Sequence, residues 1–371
     1  MKRNKRIDSR GVRPLAEDTG KLICTEPDYF KDFFCDGKRC GAQCCGGWTV
    51  FVDEGTYARY EALPEHERKV ILPHIAKCPE GSGESAYMLD FGDGGRCPLL
   101  RDDQLCSVQR RLGEEYLGNT CALYPRKIVH IGWFYERFLF LSCPLAAELA
   151  LLRDDHIQFE KHELPRVRTA GWVETAQGKE GEGMAAAFWL LQDTGIVLLQ
   201  DRKHTLKNRM AYLLGYLERA DETVAEGDIG KLIALSEQYK AGDGVPRALP
   251  VCSDEWMAGL RARLDPIEQS NSHAGMLREV PTERTLPPTD ILMENIVVSE
   301  FFIGLYPCCL PGSMLHNGMV LYVISEIFHS KVEQASEHGD ASRLLLELSR
   351  QMIYANHDRD WLQAVSEYLT E

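Results

Sequence analysis

The chain lacks a hydrophobic run long enough to cross a bilayer, a CxxC pair, and the strand–GxGxG–helix signature of the usual methyltransferase and nucleotide-binding sheets. Each absence excludes something. The best apolar stretches, such as 183–200, carry polar breaks and read as buried helices, so no membrane span is expected. No apolar h-region stands near the start, which sets aside a secretory leader and leaves the reducing cytoplasm as the expected compartment. Zinc ribbons usually present paired CxxC knuckles, and none occurs. The Cys-x3-Cys-x2-Cys motif of radical chemistry is also missing: Cys40 and Cys44 have the first spacing, but Gly47 stands where the third thiol would fall. A basic excess is absent too. With 42 Lys and Arg against 56 Asp and Glu, the formal charge of −14 argues against a nucleic-acid binder and suits a lysine-rich partner. No internal repeat is found.

What the chain has is cysteine. Thirteen are present, and ten of them fall between Cys24 and Cys143. In a reducing compartment clustered cysteines are more often metal ligands or redox groups than disulfides. The densest stretch, FCDGKRCGAQCCGGWTV over 34–50, holds Cys35, Cys40 and the adjacent pair Cys44 and Cys45. Gly41, Gly46 and Gly47 let the backbone turn tightly there, including at positive φ. Cys97, Cys106, Cys121 and Cys143 follow singly. Converging thiolates suit soft metal centres. The eight are expected to bind an iron–sulfur cluster, of the 4Fe-4S type, from several loops. Zinc is the alternative metal, and buried structural thiols are the remaining reading. Eight thiols suffice for one site or two. Cys24 and Cys78 fall outside the pattern, and His66, His74 and His130 read as surface or packing residues.

The organisation is read as mainly α (α+β). A disordered basic tail over 1–22 precedes a cysteine-rich, metal-stapled domain over 23–154 with short strands. A mostly helical domain over 155–371 follows, expected to shape a cleft for a protein substrate. Asp53 is placed to cap a helix, 97–106 reads as a hairpin presenting one thiol from each arm, and 127–142 as a hairpin or bent strand. Ser107 is expected to cap a helix reaching about 117, and 80–95 reads as an exposed loop. Eight helices are expected beyond 185, with loops over 241–250 and 266–288. GKEGEG over 178–183 follows no convincing strand and reads as loop.

Phe34-Cys35, Cys40-Gly41-x2-Cys44-Cys45, Cys97-Pro98-Leu99, Cys106 and Cys121-x2-Tyr124-Pro125 resemble the YkgJ-type cysteine-cluster proteins. The longer pattern is similar to one branch, the flagellin lysine-N-methylases. It comprises Cys45-x2-Trp48, Asp53-x2-Thr56-Tyr57-x2-Tyr60, Thr120-Cys121-x2-Tyr124-Pro125-Arg126 and Ser142-Cys143-Pro144-x-Ala146-Ala147. The resemblance implies methyl transfer from S-adenosylmethionine to lysine ε-amines of flagellin, with a cysteine-bound iron–sulfur cluster.

A neutral amine already attacks a methyl sulfonium, so the obstacle is the proton on lysine, whose free pKa is about 10.4. A proton acceptor, or a desolvated pocket, is required. Asp53, Tyr57 and Tyr124 stand beside the cysteine motifs as candidates, set against helix capping for Asp53 and packing for the tyrosines. Arg126 is a candidate for a two-pronged carboxylate contact or a plain ion pair. The donor site is not legible; an iron with an open position that chelates the amino and carboxylate groups of the donor is one way to fill the gap. The competing reading is a non-catalytic iron–sulfur or zinc module in which the cysteines only staple the fold.

Overall fold

The structure, a computed structural model, describes residues 23–79, 86–92, 95–131, 134–163, 173–176, 180–308, 313–336 and 340–370. The basic tail expected over 1–22 lies outside them. So does residue 309 of the Cys308–Cys309 pair.

The first half alternates short elements in chain order. They are β1 (Ile23–Pro27), α1 (Gly37–Cys40), β2 (Phe51–Val52), α2 (Glu54–Glu61), α3 (Glu65–Ile71), β3 (Ile75–Lys77), β4 (Tyr87–Leu89), α4 (Ser107–Leu112), α5 (Asn119–Leu123), β5 (Arg126–Ile131), β6 (Phe134–Leu139) and α6 (Pro144–Leu151). Two more strands, β7 (Phe159–Glu163) and β8 (Val173–Ala176), lead into the helices. These are α7 (Glu180–Leu199), α8 (Leu206–Ala225), α9 (Ile229–Lys240), α10 (Asp254–Ser270), α11 (Ser272–Met276), α12 (Thr289–Cys308), α13 (Met314–Ser336), α14 (Ala341–His357) and α15 (Arg359–Thr370). The fold is mainly α with small sheets, as the sequence indicates.

Local chemistry explains the boundaries. Asp53 accepts from Thr56 N at 2.9 Å and Thr56 Oγ1 at 2.7 Å, starting α2. Thr205, Asp228, Ser253 and Asp340 cap α8, α9, α10 and α14 in the same way. Pro144 opens α6 just after Cys143, where a missing N–H costs nothing.

Two sheets form. One has the order β7-β1-β6-β5-β8: β5 and β6 make the hairpin expected over 127–142, β1 joins β6 in parallel with Cys24 opposite Tyr135, and β7 closes the other edge antiparallel. Strands following residue 154 therefore complete a sheet begun before it. The other is a three-stranded antiparallel sheet, β2-β4-β3. Apolar side chains sort into two cores. The larger runs from Tyr29, Phe30 and Phe33 through α6 to Trp361 and Val365. The smaller consists of Val52, Tyr60, Ile71, Leu99, Val108 and Leu117.

Several local expectations need correction. The stretch read as an exposed loop contains β4, because Tyr87 and Leu89 find β2 and β3 as partners. The strand after the cysteine loop is only two residues long, Phe51–Val52. Ser107 is the first residue of α4 rather than its cap, and Gly113, at φ +100, ends that helix well before 117. The long loop over 266–288 is helical at both α10, with Pro266 inside, and α11. Residues 180–183 of the glycine-rich stretch begin α7 rather than a loop.

Candidate metal centre

The loop from Cys35 to Trp48 is bent by a left-handed Gly41 (φ +66) closing α1 and a left-handed Gly47 (φ +79). Cys45 then meets the hairpin: its carbonyl accepts from Cys97 N at 2.8 Å, and Gly46 bridges Arg96. The hairpin is closed by Arg101 N to Leu105 O at 3.0 Å and by a bridge between Leu100 and Cys106, so Cys97 and Cys106 stand on its two arms as expected. Cys121 sits on α5, which Thr120 ties to Phe51 O at 3.3 Å. Cys143 precedes α6.

These elements enclose a cavity of about 460 Å³. Seven of the eight predicted ligands line it: Cys35, Cys40, Cys44, Cys45, Cys97, Cys106 and Cys121. Cys143 lies behind the wall, packed against the larger core with Cys40. Among the described residues no three of the eight sulfurs lie within 4.8 Å of one another. A tetrahedral zinc with Zn–S near 2.3 Å would draw four sulfurs to about 3.8 Å apart. Thiols from several loops around one cavity fit a soft metal centre, zinc or iron–sulfur.

Burial dominates the thiol chemistry. It pushes Cys97 and Cys143 up to about 12 and Cys35 up to about 11. Cys35 and Cys121 keep exposed surface as residues, yet both sulfurs stand among enough protein to be raised. Cys45 is the exception. The Cys44 thiol hydrogen-bonds to its sulfur, and Arg96 adds a positive charge, so Cys45 is held below the usual range while Cys44 goes up. Burial thus favours the neutral thiol at most of these cysteines, while Cys45 gives up its proton most readily. A metal would deprotonate the rest on binding.

The candidate catalytic residues divide. Tyr124 lines the cavity, and its hydroxyl lies 3.0 Å from Ser142 Oγ, which lies 3.1 Å from His357 Nε2. Burial raises its pKa well above that of a free tyrosine. Arg126 lies over the Phe33 ring at 4.9 Å, close enough to Cys35 and Cys143 for its charge to act on them, and among the described residues it meets no carboxylate bidentately. Asp53 is engaged as the α2 cap, and Tyr57 stacks on Tyr87 at 3.8 Å between centroids. Neither lines the cavity.

Sequence reasoning missed what grips the cysteine loop from behind. The stretch following α10 does this. Ser272 Oγ donates to Gly47 O at 2.7 Å, Gln43 Nε2 donates to Arg278 O at 2.9 Å, and Arg39 Nη2 donates to Pro281 O at 2.8 Å. His273 stacks on Trp48 at 5.9 Å, and Trp48 Nε1 donates to Cys44 O at 2.7 Å. His273 is 7% exposed, its Nε2 has no partner among the described residues, and burial lowers its pKa to about 4, so it is neutral. No local motif marks this residue, because its partners lie more than two hundred positions away. Cys24, Glu26 and His162 form another close group, but Arg137 already holds Glu26 through Nε at 2.6 Å, and its positive charge disfavours a cation there.

No protein-family model and no solved structure matches the chain. Curated relatives do. The lysine-N-methylases of Salmonella choleraesuis (strain SC-B67) and Salmonella typhimurium are each 30% identical over 125 residues, 33% of this chain and 31% of theirs. The flagellar biosynthetic protein FliU of Salmonella muenchen is 30% identical over 125 residues, 74% of its length. The chain thus spans about a third of the lysine-N-methylases it matches and most of FliU.

Proposed function

We propose, for a chain that belongs to the lysine-N-methylase and FliU family, that it is an S-adenosylmethionine-dependent methyltransferase acting on the lysine ε-amines of flagellin, built around cysteine-bound iron and sulfide. The observation that carries the metal half of this reading is the single cavity lined by seven cysteines. Thiolates among the eight would hold such a group, four to each 4Fe-4S core, which when bound supplies a rigid inorganic link between the loops that carry them. The surplus of acidic over basic side chains suits a protein substrate presenting lysines.

The chain's own residues address the proton. An ε-ammonium must lose it before the nitrogen lone pair can attack the methyl carbon and displace the thioether. Tyr124 faces the cavity, and the contacts Tyr124–Ser142–His357 run from it to a histidine that is exposed as a residue at the end of α14. Burial of its ring holds the pKa at about 4, so the imidazole would hand the proton on to water rather than keep it. Hydroxyls in such a row pass a proton by taking one and releasing one, without either becoming charged for long. His273, neutral and buried, adds no positive charge to a site that already receives a cationic donor and a cationic substrate.

The test incubates anaerobically prepared, iron- and sulfide-loaded protein with S-adenosylmethionine and flagellin, and reads methyl groups on lysine by mass. Transfer is expected. A fully loaded protein without transfer would favour the non-catalytic module instead. Tyr124→Phe keeps the ring and removes the hydroxyl; it is expected to slow transfer roughly 10²-fold, the usual scale for a lost proton-transfer group. Full activity in that variant would remove the relay from the mechanism.

A further inference from the structure

We propose that the eight cysteines form two separate four-thiol sites, Cys35, Cys40, Cys44 and Cys143 in one and Cys45, Cys97, Cys106 and Cys121 in the other, with the Cys44–Cys45 peptide as their shared wall. The inference rests on the reading of the cysteines as metal ligands and adds to it the number of centres and the ligands of each.

The two hydrophobic cores divide the sulfurs first. Cys40 and Cys143 pack with the larger core, whereas Cys97 and Cys106 pack with the smaller one. Backbone connections assign the remaining members. Cys45 is tied to the hairpin through Cys97 N at 2.8 Å, and Cys121 rides on α5, whose Thr120 and Ala122 belong to the β2 side and the small core. Cys44 is tied the other way. Its carbonyl accepts from Trp48, whose ring lies 5.6 Å from Tyr124, and Tyr124 reaches Ser142, the neighbour of Cys143. Cys35 precedes α1, which ends at Cys40.

Mutual electrostatic influence agrees. Cys121 feels Cys45, Cys106 and Cys97, while Cys143 feels Cys40 and Cys35. The flanking tyrosines sort likewise: Tyr60 feels Cys121 and Cys106, and Tyr124 feels Cys143, Cys44 and Cys40. A positive side chain stands beside each group, Arg126 near Cys35 and Cys143 and Arg96 near Cys45. Cys45 also acts on Cys35 and Cys40, as expected of the residue in the dividing wall.

The experiment measures iron, sulfide and zinc per chain, with Mössbauer spectra, for the full chain and for Cys35→Ser and Cys121→Ser. These two residues are the exposed members of the two groups, so the substitutions disturb packing least. Two sites of four thiols predict roughly eight irons per chain if both carry 4Fe-4S clusters. Each single variant should lose about half the metal, and the double variant nearly all. Four irons in the unaltered chain with the Mössbauer signature of one 4Fe-4S cluster, or a single variant that loses everything, or one that loses nothing, would overturn the division, and the unaltered chain answers even if a variant fails to fold. Two zincs lost one at a time would keep the division and overturn the iron reading. A chain that binds no metal would overturn the reading beneath both.

Discussion

Single residues carry the clearest acid–base consequences. Glu136, on the central strand β6, is 1% exposed, its Oε1 has no partner among the described residues, and burial raises its carboxyl to about 8. Its folded pKa thus lies above the unfolded value of about 4.4. The neutral form favours the folded state at low pH. That contribution is complete below the unfolded value and is lost as pH rises through 8. Glu136→Gln should therefore leave stability near pH 3 almost unchanged and raise it at pH 9 by roughly 5 kcal/mol, read from thermal or urea melts at both pH values. His273 runs the opposite way: with a folded pKa of about 4, it costs stability as pH falls from 6.5 toward 4. What the sequence reveals at this scale depends on distance along the chain. Asp53 and Ser253 are readable as caps because the groups they satisfy lie three residues on. His273 is silent because the backbone it meets, beside Gly47, lies about 225 positions earlier.

At the scale of elements, helices were legible and strand partners were not. An amphipathic helix writes its pattern within one stretch, whereas β1 finds β6 across more than a hundred residues and no local pattern names the partner. The cysteine loop depends on the same kind of long-range contact. A Cβ added at Gly47 would lie 2.5 Å from His273 Cα, and the residue sits at φ +79. Gly47→Ala therefore meets both a steric block and a left-handed backbone. Gly92→Ala meets only the second, since its φ is +54 and nothing lies within 4 Å of the added carbon. The Gly92 variant is expected to cost about 1 kcal/mol, and the Gly47 variant at least ~2 kcal/mol more, because backbone cannot move aside as a side chain does. Urea melts of the two give the difference. Equal losses would mean that the stretch after α10 does not clamp the loop.

Taken whole, the molecule joins a large apolar core to a small one. The larger core spans the sheet of β1, β5 and β6 and most helices from α6 to α15, and such a core stabilises itself. The smaller has six buried side chains to organise β2, β3, β4, α2, α3 and α4. Twelve partly buried apolar side chains pack against these six, a much smaller core than the other one for some seventy residues to be ordered around. On the metal reading proposed above, thiolate–metal bonds would supply cross-links here, since the described cysteines are free of disulfides. The sequence announces this arrangement through its crowd of cysteines, but not which side of the fold depends on them, because both cores look equally apolar when read residue by residue. Stripping the metal with a strong chelator under reducing conditions should then separate the halves. Amide hydrogen exchange over β2–β4 and α2–α5 is expected to speed up at least 10²-fold, since the local opening energy falls by the few kcal/mol the metal supplied. Amides of α7, α12 and α14 should keep their protection. Uniform loss across all helices would mean that the two cores unfold as one, and unchanged exchange around β4 would mean that the smaller core suffices without the metal.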